Sequence, residues 1–258
     1  MGGVVDMRAE EVAGLLVAAI LGSSLLIALV SPAIGFYPSL KVEGAWTVAW
    51  GKGKLLASYE KNMTEVQELR VRAELSAGNL RVEEAEESLA YRVEVYGALM
   101  PWSSTDYSVV EEGGRLEVEV KAGSVVVYLN PSILREIEVK VSAGSGTVEL
   151  GGLNRTVFSF RVSAGSLEGT LEYSNATSSL NIDVSAGGVE LRIKVPKESK
   201  VYIKASADAA EVDVNVKELA KTSVSGFEER VIADPGFREG LVIDVQASAA
   251  SVDLKVDR

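Results

Sequence analysis

The 258-residue chain carries 26 Lys and Arg against 37 Asp and Glu, a formal net charge of −11, and has neither cysteine nor histidine. The two absences exclude disulfides, thiolate nucleophiles, Ser-His triads, haem or iron–sulfur ligation and ordinary zinc or copper sites. The acidic balance excludes nucleic acid as a partner, because phosphate neutralisation needs a basic stripe.

In chain order, residues 1–11 are a polar tail with Asp6, Glu10 and Glu11 against Arg8. From Val12 to Val30 there is no charged residue. A helix over that run is about 28 Å long, close to the hydrocarbon thickness of a bilayer. Residues 12–37 are therefore expected to form one transmembrane helix, ending at Phe36 and Tyr37 where interfacial aromatics sit. A cleaved signal peptide, with Ser31 and Ala33 at the cleavage site, is the alternative. Three sequons, at Asn62, Asn154 and Asn175, favour an extracellular C-terminal domain on a cell membrane. Lys41, Lys52 and Lys54, on the C-terminal side of the run, weigh the other way. Residues 38–68 read as a linker and an N-terminal hairpin or cap, in which Gly51-Lys52-Gly53-Lys54 turns between AWTVAW and LLASYE. Trp46 and Trp50 are expected to plug the first turn of the domain that begins at residue 69.

After residue 68 the chain repeats itself. LSAGNLRV, VKAGSVVV, VSAGSGTVEL, VSAGSLEGTLEY and VSAGGVELRI are followed by the degenerate ASADAAEVDV and ASAASVDLKV. Their corners fall at Ala77-Gly78, Ala122-Gly123, Ala143-Gly144, Ala164-Gly165 and Ala186-Gly187, then at Ala207 and Ala249. The spacing is 21 or 22 residues with two gaps near double that. Ala98 marks a decayed turn in the first gap, and residues 217–240 an insertion in the second. A fixed period of this size signals a solenoid.

On either side of each corner apolar and polar residues alternate, as in Ile137, Val139, Val141 and in Val189, Leu191, Ile193. Period two with abundant Val and Ile is strand with one face buried. The small Ala and the Gly let the chain bend and let successive turns stack closely. The expected fold class is all-β: a single-stranded-wound β-solenoid over 69–258 of about nine turns of ~21 residues, a rod of about 43 Å. Because the sequence stops directly after a strand, an open end available for self-association is expected.

The phrases VSAGSGTVEL, VSAGSLEGTLEY and VSAGGVELRI resemble the putative-adhesin repeat family, β-solenoid domains of bacterial and archaeal envelope proteins. The resemblance covers roughly residues 69–258. It implies a place on the envelope and no biochemical activity. That family often has Asp after the corner Gly, where this chain has Asn79, Ser124, Ser145, Ser166 and Gly188, so an acidic corner ladder is not implied.

The carboxylates Glu138, Glu149, Glu168, Asp183, Glu190, Asp213, Asp244 and Asp253 fall on the polar half of the alternation, alongside Lys140, Arg161, Arg192 and Lys204. This reads as a mixed charged surface that keeps the sheet soluble. No catalytic residue, cofactor or metal site is expected. The expected function is a membrane-anchored cell-surface structural or adhesive protein displaying a rigid solenoid, with a surface glycan or protein as ligand. A membrane-associated scaffold polymerising by end-to-end stacking is the alternative, and a carbohydrate-active enzyme the third reading.

Overall fold

In the computed structural model, residues 54–97, 105–174, 178–217 and 219–258 are described. They are all-β, with fourteen strands in one sheet and a single 3-10 turn at Met63–Glu65. The strands are β1 (Leu55–Asn62), β2 (Leu69–Glu84), β3 (Leu89–Tyr96), β4 (Tyr107–Glu112), β5 (Arg115–Val120), β6 (Gly123–Leu129) and β7 (Leu134–Leu153). They continue with β8 (Val157–Tyr173), β9 (Ser178–Val184), β10 (Gly187–Lys194), β11 (Val201–Val216), β12 (Ala220–Ala233), β13 (Leu241–Ser248) and β14 (Ala250–Asp257).

The period-two pattern explains these elements directly. Along β5 and β9, apolar residues alternate with exposed or half-buried ones, and the apolar ones are buried. Parallel pairing then sets equivalent residues side by side. Val141 lies opposite Val162 and Val162 opposite Val184, while Ala143 lies opposite both Ala77 and Ala164. The inward columns form one core of Val, Ile and Leu, with Phe158, Phe160 and Tyr173 clustered at ring separations of 5.8 and 6.2 Å. Burial of Tyr173 pushes its phenol pKa upward.

The nine-turn solenoid is corrected by the pairing. Strands β8, β10, β14, β11, β13 and β9 close into a barrel of six parallel strands. Closure is possible because β8 and β11, with 17 and 16 residues, each pair with different strands along their two halves. Layer order also departs from chain order. The last phrase, β13 and β14, inserts between β9/β10 and β11, and β5/β6 lies on the side of β2 away from β7.

The two long gaps hold antiparallel strands in place of decayed turns. β3 runs antiparallel to β6, β1 to β3, and β4 to β5. Residues 217–240 contain β12, which returns antiparallel along the whole of β11. Ala98, Trp46, Trp50 and Trp102 lie outside the described residues. The expected open C-terminal end is corrected as well, since β14 is an interior strand between β10 and β11.

No helix among the described residues is long and apolar enough to cross a membrane. That finding stands against the single-pass anchor and the membrane localisation expected from residues 12–37 only as far as the described residues reach. The segment itself lies outside the described residues.

Candidate functional site

The repeat singles out the corners. Gly78, Gly123, Gly144 and Gly187 adopt φ between 125° and 139°, a region closed to L side chains. A Cβ on Gly144 would sit 2.2 Å from the carbonyl oxygen of Gly78, one on Gly165 2.4 Å from that of Gly144, and one on Gly187 2.0 Å from that of Gly165. The close approach between layers therefore belongs to the glycines. Ala77, Ala143, Ala164 and Ala186 are exposed and Ala122 half-buried, so the small alanine is not what permits stacking.

Ala249 is a true corner with φ 51°, but Ala207 is not. Ala207 pairs with Ala247 in the inward column, and the corner lies two residues later at Ala209, φ 52°.

Asn62 and Asn154 are exposed, and Asn175 lies outside the described residues. Thr156, the third residue of the Asn154 sequon, is fully buried, and its hydroxyl donates to the Leu134 carbonyl at 3.1 Å.

On the outer faces, charges form rows across the strands. Glu138 sits among Arg72, Lys140 and Arg161 at 3.7, 3.4 and 3.5 Å. On the other half of the layers, Glu168, Glu190, Asp253 and Asp213 are direct neighbours on four successive strands. Among the described residues no group of three or more acids is placed to hold a metal ion. Glu83, Glu84, Glu149 and Glu172 line a concavity of about 590 Å³ with Lys194, but Glu84, Glu149 and Glu172 are exposed.

Both ends of the sheet carry charge on the inward side. At one end β1 and β4 bring Lys61 and Glu111 into an ion pair, on positions opposite Tyr91 and Leu116 of the core. The hydrogen bond from Lys61 holds the Glu111 carboxyl below the usual carboxylate range, and the same bond raises Lys61. At the other end, Arg230 and Glu228 of β12 lie opposite the buried Ala205 and Ala207 and pair at 3.4 Å.

A smaller cavity, about 340 Å³, opens where the β7–β8 turn meets β9 and the loop before β13. Val157, Ser179 and Val242 are register neighbours on three successive strands, and Tyr202 is the neighbour on the fourth. Phe237 packs on Tyr202 at a ring separation of 5.6 Å. Val157 and Val242 stay 42% and 38% exposed at the cavity wall. Thr156 and Ser178 complete the floor, with the Thr156 amide donating to Ser178 Oγ at 3.3 Å. Arg155 and Arg238 approach from two separate loops. Sequence reasoning passed over both arginines: they lie 83 positions apart, and neither belongs to a repeated phrase.

No family model matches this chain, and no curated protein matches it. Among solved structures, it is similar to one named putative cell adhesion protein from Clostridium sporogenes ATCC 15579. The two share 18% identity over 78% of this chain and 99% of that chain, with a TM-score of 0.53. It is also matched to one named putative adhesin from Bacteroides fragilis NCTC 9343, at 12% identity over 79% and 98% of the two chains, with a TM-score of 0.29. The first likeness supports an adhesin-like fold, which is the part of the putative-adhesin resemblance that stands. The second is too distant to bear on the fold.

Proposed function

We propose that this chain is a cell-surface adhesive protein that acts by presenting a rigid, charge-patterned barrel to a glycan or protein ligand, without catalysing a reaction. The observation that carries the reading is the fold shared with a protein named putative cell adhesion protein, over nearly all of that protein's length. The chemistry of the surface agrees with it. The outer faces are laced with ion pairs, and Glu84, Glu149 and Glu172 of the acidic concavity are exposed, unlike the buried carboxyl group that serves as general acid beside a second carboxylate in a carbohydrate-cleaving enzyme. End-to-end polymerisation has less support, since inward charges at both ends oppose the stacking of another layer.

Two measurements test the proposal. Beads coated with the full chain are expected to adhere saturably to cells, above beads coated with an inert protein of equal net charge; adhesion no better than that control overturns the adhesive role. On intact cells that produce the protein, added protease is expected to cleave it; full protection until lysis overturns the surface location.

A further inference from the structure

Most arginines among the described residues are paired. Of the twelve arginines among the described residues, nine hold a carboxylate: Arg72, Arg81, Arg92, Arg115, Arg135, Arg161, Arg192, Arg230 and Arg258. Of the remaining three, Arg70, Arg155 and Arg238, two line the same 340 Å³ cavity. With eleven more acids than bases in the chain, carboxylates are abundant, and two arginines that line one cavity with no ion pair to a described carboxylate stand out. Guanidinium is a fork of donors matched to carboxylate and to other planar or tetrahedral oxyanions.

The rest of the cavity says what kind of anion fits. The Thr156 amide already occupies Ser178 Oγ as an acceptor, so the Ser178 hydroxyl has its proton left to donate, and Ser179 adds a second hydroxyl. The exposed Val157 and Val242 side chains and the Phe237 ring supply an apolar wall. A few convergent polar groups beside apolar surface, in a cavity at the small end of the range of roughly 300–1,000 Å³, describe a site for a small amphipathic molecule. Glu239 also lines the cavity, where it has an interaction of its own, and the lining keeps a net charge of +1.

Arg155 is held there at a cost. Its φ of 53° is the left-handed region, which a non-glycine residue occupies only when its surroundings over-determine it. The restraint comes from the next residue, Thr156, through its hydroxyl to Leu134 and its amide to Ser178.

We propose that this cavity binds a saccharide unit carrying one carboxylate or sulfate. Arg155 and Arg238 hold the anionic group, Ser178 and Ser179 meet ring hydroxyls, and the C–H face of the ring lies on Phe237 and the two valines. The inference rests on the adhesive reading and names the ligand class of that surface.

The test is calorimetric titration of the full chain with glucuronate, glucose 6-sulfate, glucose and acetate. Saturable binding of glucuronate or glucose 6-sulfate, at least tenfold tighter than glucose and tighter than acetate, is expected, and the ratio of the two acidic sugars distinguishes a carboxylated from a sulfated source. The variants are Arg238→Gln and Arg155→Asn, the latter because Asn tolerates a positive φ. Each is expected to weaken the acidic sugar about tenfold with an unchanged melting temperature, and 0.5 M salt is expected to do the same. Glucose binding as well as glucuronate, unchanged binding in both variants, or no saturation by any probe at 50 mM overturns the site. Bead adhesion separates the two proposals: a wild-type protein that adheres without binding either acidic sugar refutes the site alone, and one that binds the sugar without adhering refutes the adhesive role alone.

Discussion

The glycine column makes the sharpest claim about how the layers are held. Replacing Gly144 by Ala adds one carbon 2.2 Å from the Gly78 carbonyl oxygen and 2.8 Å from its nitrogen, at φ 128°. The obstacle is backbone, so no rotamer change relieves it; the Gly78–Gly144 pairing itself has to move. Holding an L residue in such a conformation costs about 1–3 kcal/mol, and overpacking a further ~1–3 kcal/mol. We therefore expect a loss of about 4 kcal/mol. In a barrel of this size that is a fall of roughly 8–16 °C in melting temperature.

Gly152 separates the two contributions. Its φ is 64° and nothing lies within 4 Å of a Cβ built there, so Gly152→Ala carries only the left-handed cost, about 1 kcal/mol and a fall of roughly 2–4 °C. Ala164→Leu is the third variant. Ala164 is exposed beside the column, and a surface change of that kind is worth within about 0.5 kcal/mol. Thermal unfolding followed by circular dichroism reads all three. Equal falls for Gly144→Ala and Gly152→Ala, or a larger fall for Ala164→Leu, would refute the assignment of the close approach to the glycines.

Three further outcomes are expected. Glu190 lies between Glu168 and Asp253 on adjacent strands, so Glu190→Gln should stabilise the fold by about 0.5 kcal/mol at low salt, with the gain fading near 1 M; no gain at low salt contradicts the repulsive row. Glu111 has a lowered pKa, so its contribution to stability is complete above the ordinary carboxylate pKa and is lost as pH falls through the lowered value; Glu111→Gln should melt lower than the parent at pH 7, and the gap should close in acid, whereas a constant gap down to pH 2 counts against the Lys61 pairing. Making both inward charges of β12 apolar, Glu228→Val with Arg230→Val, should produce concentration-dependent association by light scattering; a variant as monodisperse as the parent contradicts the sealing role of that pair.

Strand content was legible because the alternation is local: each of Ile137, Val139 and Val141 declares its face by its neighbours two positions away. The layer contacts were half legible. The repeat marks Ala143-Gly144, but only the backbone geometry reveals that the glycine meets the next layer and the alanine meets water. The degenerate copies misled by two residues, because aligning Ala207 with Ala249 matches letters while pairing matches Ala207 with Ala247. The antiparallel direction of β3 and β12 escaped notice: both have strand-like patterns, and direction is a long-range property that no local pattern encodes. The cavity was illegible for the same reason, since Arg155 and Arg238 become neighbours only through the pairing of β8, β9 and β13.

Layer order, the point on which the solenoid expectation failed, is not set by the corners alone, since β5/β6 lies outside β2 although Gly78 and Gly123 are corners of one kind. Five layers bend at Gly78, Gly123, Gly144, Gly165 and Gly187, and these stack on one another with almost no clearance. The other two bend one residue earlier, at Ala209 and Ala249, with φ of 52° and 51°. That geometry makes room for a methyl group where the others have a glycine, at Ala210 and Ala250. The two alanine corners are adjacent: the Ala249 amide donates to the Asp208 carbonyl at 3.0 Å, and β11 and β14 continue in register from Glu211 and Ser251. On its other side β14 meets a glycine corner, with Ala250 opposite Gly187, so the two kinds of bend also stack in register on each other. The loss of glycine from the last two phrases, which looked like decay of the repeat, is then a shift of the bend by one residue that keeps β14 in register with β10 on one side and β11 on the other, and that double pairing closes the six-stranded barrel.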